Sequence, residues 1–260
     1  MENELKITLI QADLVWKNAK ENRGKFEVKI NAVNTPTDII ILPEMFTTGF
    51  VMNPEGLAEA INGETVSWML KLSKNKNSAI CGSIIIKEND KYYNRFVFVT
   101  PEGEVYQYNK RHLFSLAGED KNYNNDNKQV IIEYKGWKIC PLICYDLRFP
   151  VWSRNVSGYD LLIYVANWPK TRVTAWNTLL KARAIENMSY TIGVNRNGTD
   201  GNGHEYSGNS IVLDELGNEL TPIAEHNEVT THTTLCKEKL NLSRKKLNFL
   251  NDQDDFKILF

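Results

Sequence analysis

The chain has 260 residues, 42% of them hydrophobic, with a formal net charge of −1 and a pI near 6.5. It is long enough to bury a full core, and its charge balance offers no basic surplus for nucleic acid and no Lys/Arg cluster for a membrane surface. No run approaches the roughly 18 apolar residues of a membrane span, the acidic start MENELKITLIQADL matches neither a secretory signal nor a transit peptide, and four scattered cysteines fit a reducing cytoplasm rather than a disulfide framework.

Apolar, β-branched runs predict strands at 6–10 (KITLI), 38–42 (DIIIL), 79–86 (AICGSIII), 95–99 (RFVFV), 130–134 (VIIEY), 137–144 (WKICPLIC), 160–166 (DLLIYVA), 190–195 (YTIGVN) and 209–215 (NSIVLDE). An alternating strand, EVYQYN, precedes Lys110. Several runs are continuously apolar, as in sheets covered on at least one face. Between them, helical spacing appears at 17–33 (Ala19, Phe26, Ile30, Val33), at 64–74 (Val66, Met69, Leu70) and in the stripe Val173, Trp176, Leu179, Leu180, Ala184. Glu88-Asn89-Asp90 and Pro101-Glu102-Gly103 mark hairpins. No linker or repeat divides the chain, so one layered α/β domain over 1–260 is expected. The tail, about 237–260, carries Phe249, Leu250, Phe256, Ile258, Leu259 and Phe260; it is expected to dock on the domain or on a second subunit.

Three strands end in chemistry. Cys144 follows an apolar strand that contains Pro141, which cannot donate a ladder hydrogen bond and so marks an edge or a bulge. Pro150 then suits a helix first turn, placing Cys144 at a strand-to-helix corner, where a nucleophile is exposed beside backbone N–H groups. A thiol needs a base or cation beside it to react at neutral pH. None of the four histidines (His112, His204, His226, His232) stands in a motif typical of a Cys–His protease. DIIILPEMF delivers Glu44 just past its strand, and EVYQYNKRHLF delivers Lys110 and Arg111. Taken singly, Cys144 reads as a small buried hydrophobe, Glu44 as a solvated loop carboxylate and Lys110-Arg111 as a solvated strand end. Together they supply a base, an oxyanion stabiliser and a nucleophile.

ILPEMFTTGF (41–50), YNKRHLF (108–114) and PLICYDLRFP (141–150) resemble the three signature segments of the nitrilase superfamily of carbon–nitrogen hydrolases, whose Glu-Lys-Cys triad maps onto Glu44, Lys110 and Cys144. The similarity runs from the first strand to about residue 215. ANWPKTRVTAWNTLLKARAIEN, GVNRNG and YSGNS look most like the omega-amidase branch, which hydrolyses the side-chain amide of 2-oxo acids such as 2-oxoglutaramate. The resemblance implies a four-layer αββα sandwich, a homodimer, a thioester intermediate on Cys144, and no metal or organic cofactor. It also implies a second glutamate after the lysine, here Glu119, orienting the hydrolytic water. The loop 119–127 departs from the branch in its Asn and Lys content, as do Met188 and Asn197, where Gln and Val are expected.

On that mechanism Lys110 lowers the thiol's pKa, Glu44 takes its proton, and the Lys110 ammonium and the Tyr145 backbone N–H hold the oxyanion. A substrate carboxylate calls for Arg148 or Arg196, although Arg148 could equally pair with Asp146 or Glu119. Phe46, Phe114, Trp168 and Tyr206 could wall a small pocket or belong to the core. Cys140 and Cys144 share a C-x3-C spacing with no second Cys/His pair to complete a zinc site. The rivals are a nitrilase or carbamoyl-amide hydrolase with the same triad, a binding protein that has lost turnover, and a redox-sensing thiol protein.

Overall fold

Two sheets share one apolar interior. The computed structural model describes residues 3–259, so Phe260 of the expected apolar tail lies outside the described residues. In chain order the elements are β1 (Glu4–Gln11), α1 (Ala19–Asn31), β2 (Ile39–Ile41), α2 (Glu64–Lys76), β3 (Ala79–Glu88), β4 (Lys91–Val99), β5 (Val105–Asn109), β6 (Ile132–Tyr134), β7 (Trp137–Ile143), α3 (Pro150–Ser153), β8 (Leu161–Ala166), α4 (Val173–Asn187), β9 (Tyr190–Asn195), β10 (Asn197–Thr199), β11 (Glu205–Ser207), β12 (Ile211–Leu213), β13 (Val229–Cys236) and α5 (Lys237–Leu247). One sheet has the order β13-β1-β2-β3-β4-β5 and the other β12-β9-β8-β7-β6, while β10 and β11 form a separate hairpin.

Alternation of side chains gives each sheet two faces. Leu5, Ile7, Leu9, Ile39, Ile41, Phe96 and Phe98 of the first sheet join Ile139, Leu161, Ile163 and Val165 of the second in one core. Ile10, Ile40, Ile80 and Val97 turn the other way, onto Phe26 and Ile30 of α1 and Val66, Met69 and Leu72 of α2. The far side of the second sheet carries Trp176, Leu180 and Ala184 of α4, three of the five stripe residues read from the sequence, with Leu179 packed partly against them. The layers therefore run helix, sheet, sheet, helix, the αββα sandwich expected of the sequence.

β7 is interior over its first half and an edge at Pro141, where the sequence predicts an edge or a bulge. It lies between β6 and β8, but β6 pairs only as far as Ile139, whereas β8 pairs from Ile139 to Ile143. Past Ile139 the strand has a neighbour on one side only, which is where a residue without an N–H is tolerated.

β13 went unread because its residues, VTTHTTLC, are β-branched but polar. It pairs along the whole of β1 as a half-exposed edge. α5 buries Leu240 and sends Arg244 to Asp160 (3.1 Å) and to the Tyr159 (2.6 Å) and Met188 (2.7 Å) carbonyls. Beyond it Ile258 packs partly on the core, while Phe249, Phe256 and Leu259 are exposed. No helix of the described residues is long and apolar enough to cross a membrane.

Candidate active site

β2 and β5 of one sheet and β7 and β8 of the other end at the same place. Past β2, Leu42 N still donates to Cys81 O (2.8 Å), and Met45 N and Phe46 N donate to Ser83 Oγ (2.9 Å) and Ser83 O (3.2 Å). The loop is thus stitched to β3 on both sides of Glu44, and Met45 takes a φ of 43° to make the turn. At the exit of β5, Lys110 N donates to Asn94 O (2.9 Å). At the exit of β7, Cys144 adopts a φ of 44° and opens a 3-10 turn, Cys144–Arg148. A left-handed backbone at two non-glycine residues costs energy that the surrounding structure must offset, and such residues cluster at functional sites. In a 3-10 turn starting at Cys144, the first N–H groups, including that of Tyr145, have no acceptor within the turn.

Asp146 holds that turn to the segment after Lys110. Fully buried, it accepts from Ile143 N (3.0 Å) and Tyr108 OH (2.8 Å) at Oδ2, and faces His112 N (2.9 Å) and His112 Nδ1 (2.8 Å) with Oδ1. The His112 ring stacks on Phe149, centroids 3.7 Å apart.

Three ionisable groups meet with no exposure to solvent. Lys110 Nζ lies 2.9 Å from Glu44 Oε1, and 3.0 and 2.9 Å from the two Glu119 oxygens. Glu44 Oε1 also accepts from Asn94 Nδ2 (2.7 Å), and Oε2 from the Asn167 backbone N–H (2.7 Å). Glu119 Oε2 takes the Phe114 N–H (2.6 Å). Asn94 is itself oriented by Ser83 Oγ, 2.8 Å from its Oδ1. The Cys144 thiol feels Glu44 through charge and a hydrogen bond, and its Sγ is 4.0 Å from Asn167 O.

Burial disfavours the Lys110 charge, yet Glu119, Glu44 and Cys144 together outweigh it and hold the ammonium well above the usual lysine range. Glu119 is pushed upward by burial and by Glu44 against the pull of Lys110. Lys110 acts to lower the pKa of the Cys144 thiol, as expected, but burial first and then the Glu44 charge act the other way and hold it well above the ordinary thiol range. That direction suits a base that receives the proton as the sulfur attacks.

The thiol opens onto a cavity of about 450 Å³ lined by Phe50, Phe114, Leu116, Arg148, Trp168, Arg172 and Tyr206, among others. Of the residues the sequence offered for a pocket, Phe114, Trp168, Tyr206 and Arg148 line this cavity, with Arg148 over the Trp168 ring at 5.0 Å. Among the described residues, Arg148 makes no ion pair with Asp146 or Glu119.

A model of the carbon–nitrogen hydrolase family matches residues 6–238. The chain belongs to that family. It is 44% identical to an omega-amidase, YafV, of Yersinia enterocolitica over 98% of this chain and 99% of the relative, and 33% identical to a 2-oxoglutaramate amidase of Bacillus subtilis over 82% and 84%. Among solved structures, XC1258 of Xanthomonas campestris, a CN-hydrolase superfamily protein with an arsenic adduct in its active site, superimposes with a TM-score of 0.95 at 37% identity over 98% of this chain and 99% of that one.

Two of the residues assigned to this carbon–nitrogen hydrolase pocket do not reach it. Phe46 is fully buried in the outer core, edge-on to Phe26 (5.5 Å) and beside Trp68 (6.0 Å). There Gly82 lets the layers close up, since a Cβ would meet Phe46 and Leu42 at 3.0 Å, tighter than ordinary contact. Arg196 is fully buried behind the wall, under the Tyr206 ring (4.6 Å) and bonded to Asp13 Oδ1 (2.6 Å). Each stands beside a site motif in sequence, but Phe46 sits in the turn past β2 and Arg196 in the break between β9 and β10, and there the local backbone carries the side chain into the core. Asn94, Asn167 and Arg172 went unread. The first two are neutral donors that no motif separates from ordinary asparagines, although Asn167 ends an apolar strand as Cys144 does. Arg172 stands on the Phe114 ring at 5.2 Å, and its signal was available in the segment WPKTR.

Proposed function

We propose that the chain hydrolyses the omega-amide of a small 2-oxo acid, of the 2-oxoglutaramate or 2-oxosuccinamate type, to the carboxylate and ammonia through a thioester on Cys144. The observation that carries it is the meeting of a thiol, an ammonium and two carboxylates at the end of one cavity, in a chain 44% identical over its length to an omega-amidase.

Sγ attacks the amide carbon while Glu44 takes the thiol proton; the carbonyl electrons move onto oxygen, which Lys110 and the Tyr145 N–H stabilise by about 3 kcal/mol for each donor. Glu44 returns the proton to nitrogen, the C–N bond breaks, and ammonia leaves a thioester. Water, deprotonated by Glu44 and oriented by Glu119, then forms a second tetrahedral species that releases the acid and restores the thiol. Arg148 and Arg172, the arginines on the cavity wall, suit the 2-oxo acid's carboxylate. Phe114, Trp168 and Tyr206 bound the acyl chain, and the chemistry needs no metal or cofactor.

The test is ammonia release by purified protein from 2-oxoglutaramate, from a nitrile and from a carbamoyl amine, with mass spectrometry for an acyl adduct on Cys144. Turnover of the oxo-acid amide with a transient adduct is expected. Inertness toward it, with turnover of either competitor, overturns the substrate assignment, and a wild type that never acylates overturns catalysis.

We further propose one domain over 1–260 whose tail docks on the domain or on a partner copy, a homodimer and a cytoplasmic setting. Exposed Val151 and Phe256, which line one groove, support the pairing. A monomeric mass in solution overturns the dimer.

A further inference from the structure

The buried Arg196 takes no part in the chemistry above, and what lies over it accounts for its place. Its Nε donates to Asn197 O (3.0 Å) and its Nη2 to Asp13 Oδ1 (2.6 Å), with Leu14 O and Thr199 O both at 3.4 Å. The guanidinium is thereby fastened to the exit of β1 and to β10, and the ring of Tyr206, on β11, lies over it at 4.6 Å. Tyr206 is held at its edge as well, its hydroxyl donating to the buried Asp200 Oδ2 (2.8 Å). Asp200 Oδ1 meanwhile accepts from Asn202 N (2.8 Å) and His204 N (3.0 Å), which closes the turn between β10 and β11. Asp200, Asn202, His204 and Tyr206 all line the cavity onto which the thiol opens. Burial and then the Asp200 charge hold the Tyr206 hydroxyl well above the ordinary tyrosine range against the pull of Arg196, so it stays the donor of that bond, and it also feels a charge on Cys144.

We propose that Asp200 and Arg196 are specificity-determining positioning residues, which lock the Tyr206 ring and the β10–β11 turn into one rigid cavity wall and so set the length of acyl chain that the site accepts. The inference deepens the amidase reading and rests on it. Three donors converge on the two oxygens of Asp200, so its charge is taken up within the wall and it acts through Tyr206. Attack requires the amide carbon about 3–3.5 Å from Sγ, and an error of about 1 Å can cost a hundredfold. With the nucleophile at one end of the cavity, the wall that the acyl chain meets decides which length satisfies that condition. A tyrosine free to turn about its side-chain bonds would yield to a longer chain. One stacked on an anchored guanidinium and tied at its hydroxyl has to break both contacts to do so.

The experiment measures kcat/KM for the monoamides of succinic, glutaric and adipic acid in the wild type and in Tyr206→Phe, Asp200→Ala, Asp200→Asn and Arg196→Met. The wild type is expected to favour one length over the next longer by about tenfold or more, and Tyr206→Phe, Asp200→Ala and Arg196→Met to reduce that ratio to about threefold or less. Asp200→Asn keeps an oxygen for the two turn N–H groups and an NH2 that can donate to the Tyr206 hydroxyl, and is expected to retain the wild-type ratio. A general loss of packing slows every length alike and leaves the ratio where it was. If Arg196→Met or Asp200→Ala fails to fold, Tyr206→Phe, which deletes a single oxygen, decides by itself. An unchanged ratio in folded Tyr206→Phe, or a wild type that turns over all three lengths within about threefold, sinks this inference and leaves the amidase intact. A wild type inert toward every amide of the panel overturns both.

Discussion

Replacing Asp146 by Asn keeps the shape of the side chain and removes its charge, so it asks whether an anion holds the nucleophile turn. Four donors converge on its two oxygens: Ile143 N and Tyr108 OH on one, His112 N and His112 Nδ1 on the other. An amide offers one acceptor and one NH2 group. Placed toward Ile143 and Tyr108, the NH2 opposes two donors, since Tyr108 OH already accepts from Trp152 Nε1 (3.0 Å) and Arg111 N (3.2 Å) and cannot reverse. Placed toward His112, it opposes only the backbone N–H, because a neutral imidazole can accept at Nδ1. The cheaper choice leaves one buried N–H unpaired, about 1–3 kcal/mol, and turns the remaining charge-assisted bonds into neutral ones. A total of about 2–4 kcal/mol is expected from urea unfolding midpoints at constant slope. Because the turn sets the φ of Cys144 and the aim of the Tyr145 N–H, kcat for the amide is expected to fall by at least about tenfold. A loss below about 1 kcal/mol with full activity would refute the claim that Asp146 holds the turn through its charge.

Iodoacetamide should alkylate Cys144 in the free protein at a rate that climbs through pH 8.5 without a neutral plateau, since burial and then Glu44 hold the thiol above its ordinary value while Lys110 pulls the other way; a plateau below pH 7 would mean a resting thiolate. Arg172→Met and Arg148→Met are each expected to raise KM for a carboxylate-bearing amide by about tenfold, and to leave a neutral amide of similar size unaffected, as steady-state kinetics will reveal. Phe46→Ala should cost about 3–5 kcal/mol of stability by denaturant titration, its side chain being core, with the ranking of amide substrates preserved. Glu119→Gln sets at least one N–H against Lys110, Asn94 or the Phe114 amide, and a drop in kcat of about a hundredfold is expected in acylation measured by stopped flow.

What was legible in the sequence was whatever repeats with a period or stands at the end of a run. Continuous apolar strands and the stripe on α4 announce a covered sheet and the helix that covers it, and Glu44, Lys110 and Cys144 are visible because each interrupts such a run with an ionisable group. β13 carries no apolar face and the β10–β11 hairpin is only three residues a side, so neither rises above loop composition, although that hairpin brings Tyr206 to the cavity. Phe46 and Arg196 failed in a different way. Each stands beside a signature segment but outside a strand, Phe46 in a turn and Arg196 between β9 and β10, so no period tells which way its side chain points.

The neutral donors follow from electrostatics, and this is where sequence reading can be extended. Glu44, Glu119 and Lys110 carry one negative charge more than they cancel, and all three are buried. Coulomb attraction to a single ammonium cannot solvate four carboxylate oxygens, so uncharged N–H groups have to supply the rest. The Asn94 amide and the Asn167 and Phe114 backbone N–H groups fill that need, one on a neighbouring strand, one at a strand end and one in the loop after Lys110. The triad alone therefore implies that such donors exist and how many acceptor sites they must meet. Only the fold assigns them, because β4, β8 and the 111–118 segment approach one point from distant stretches of chain.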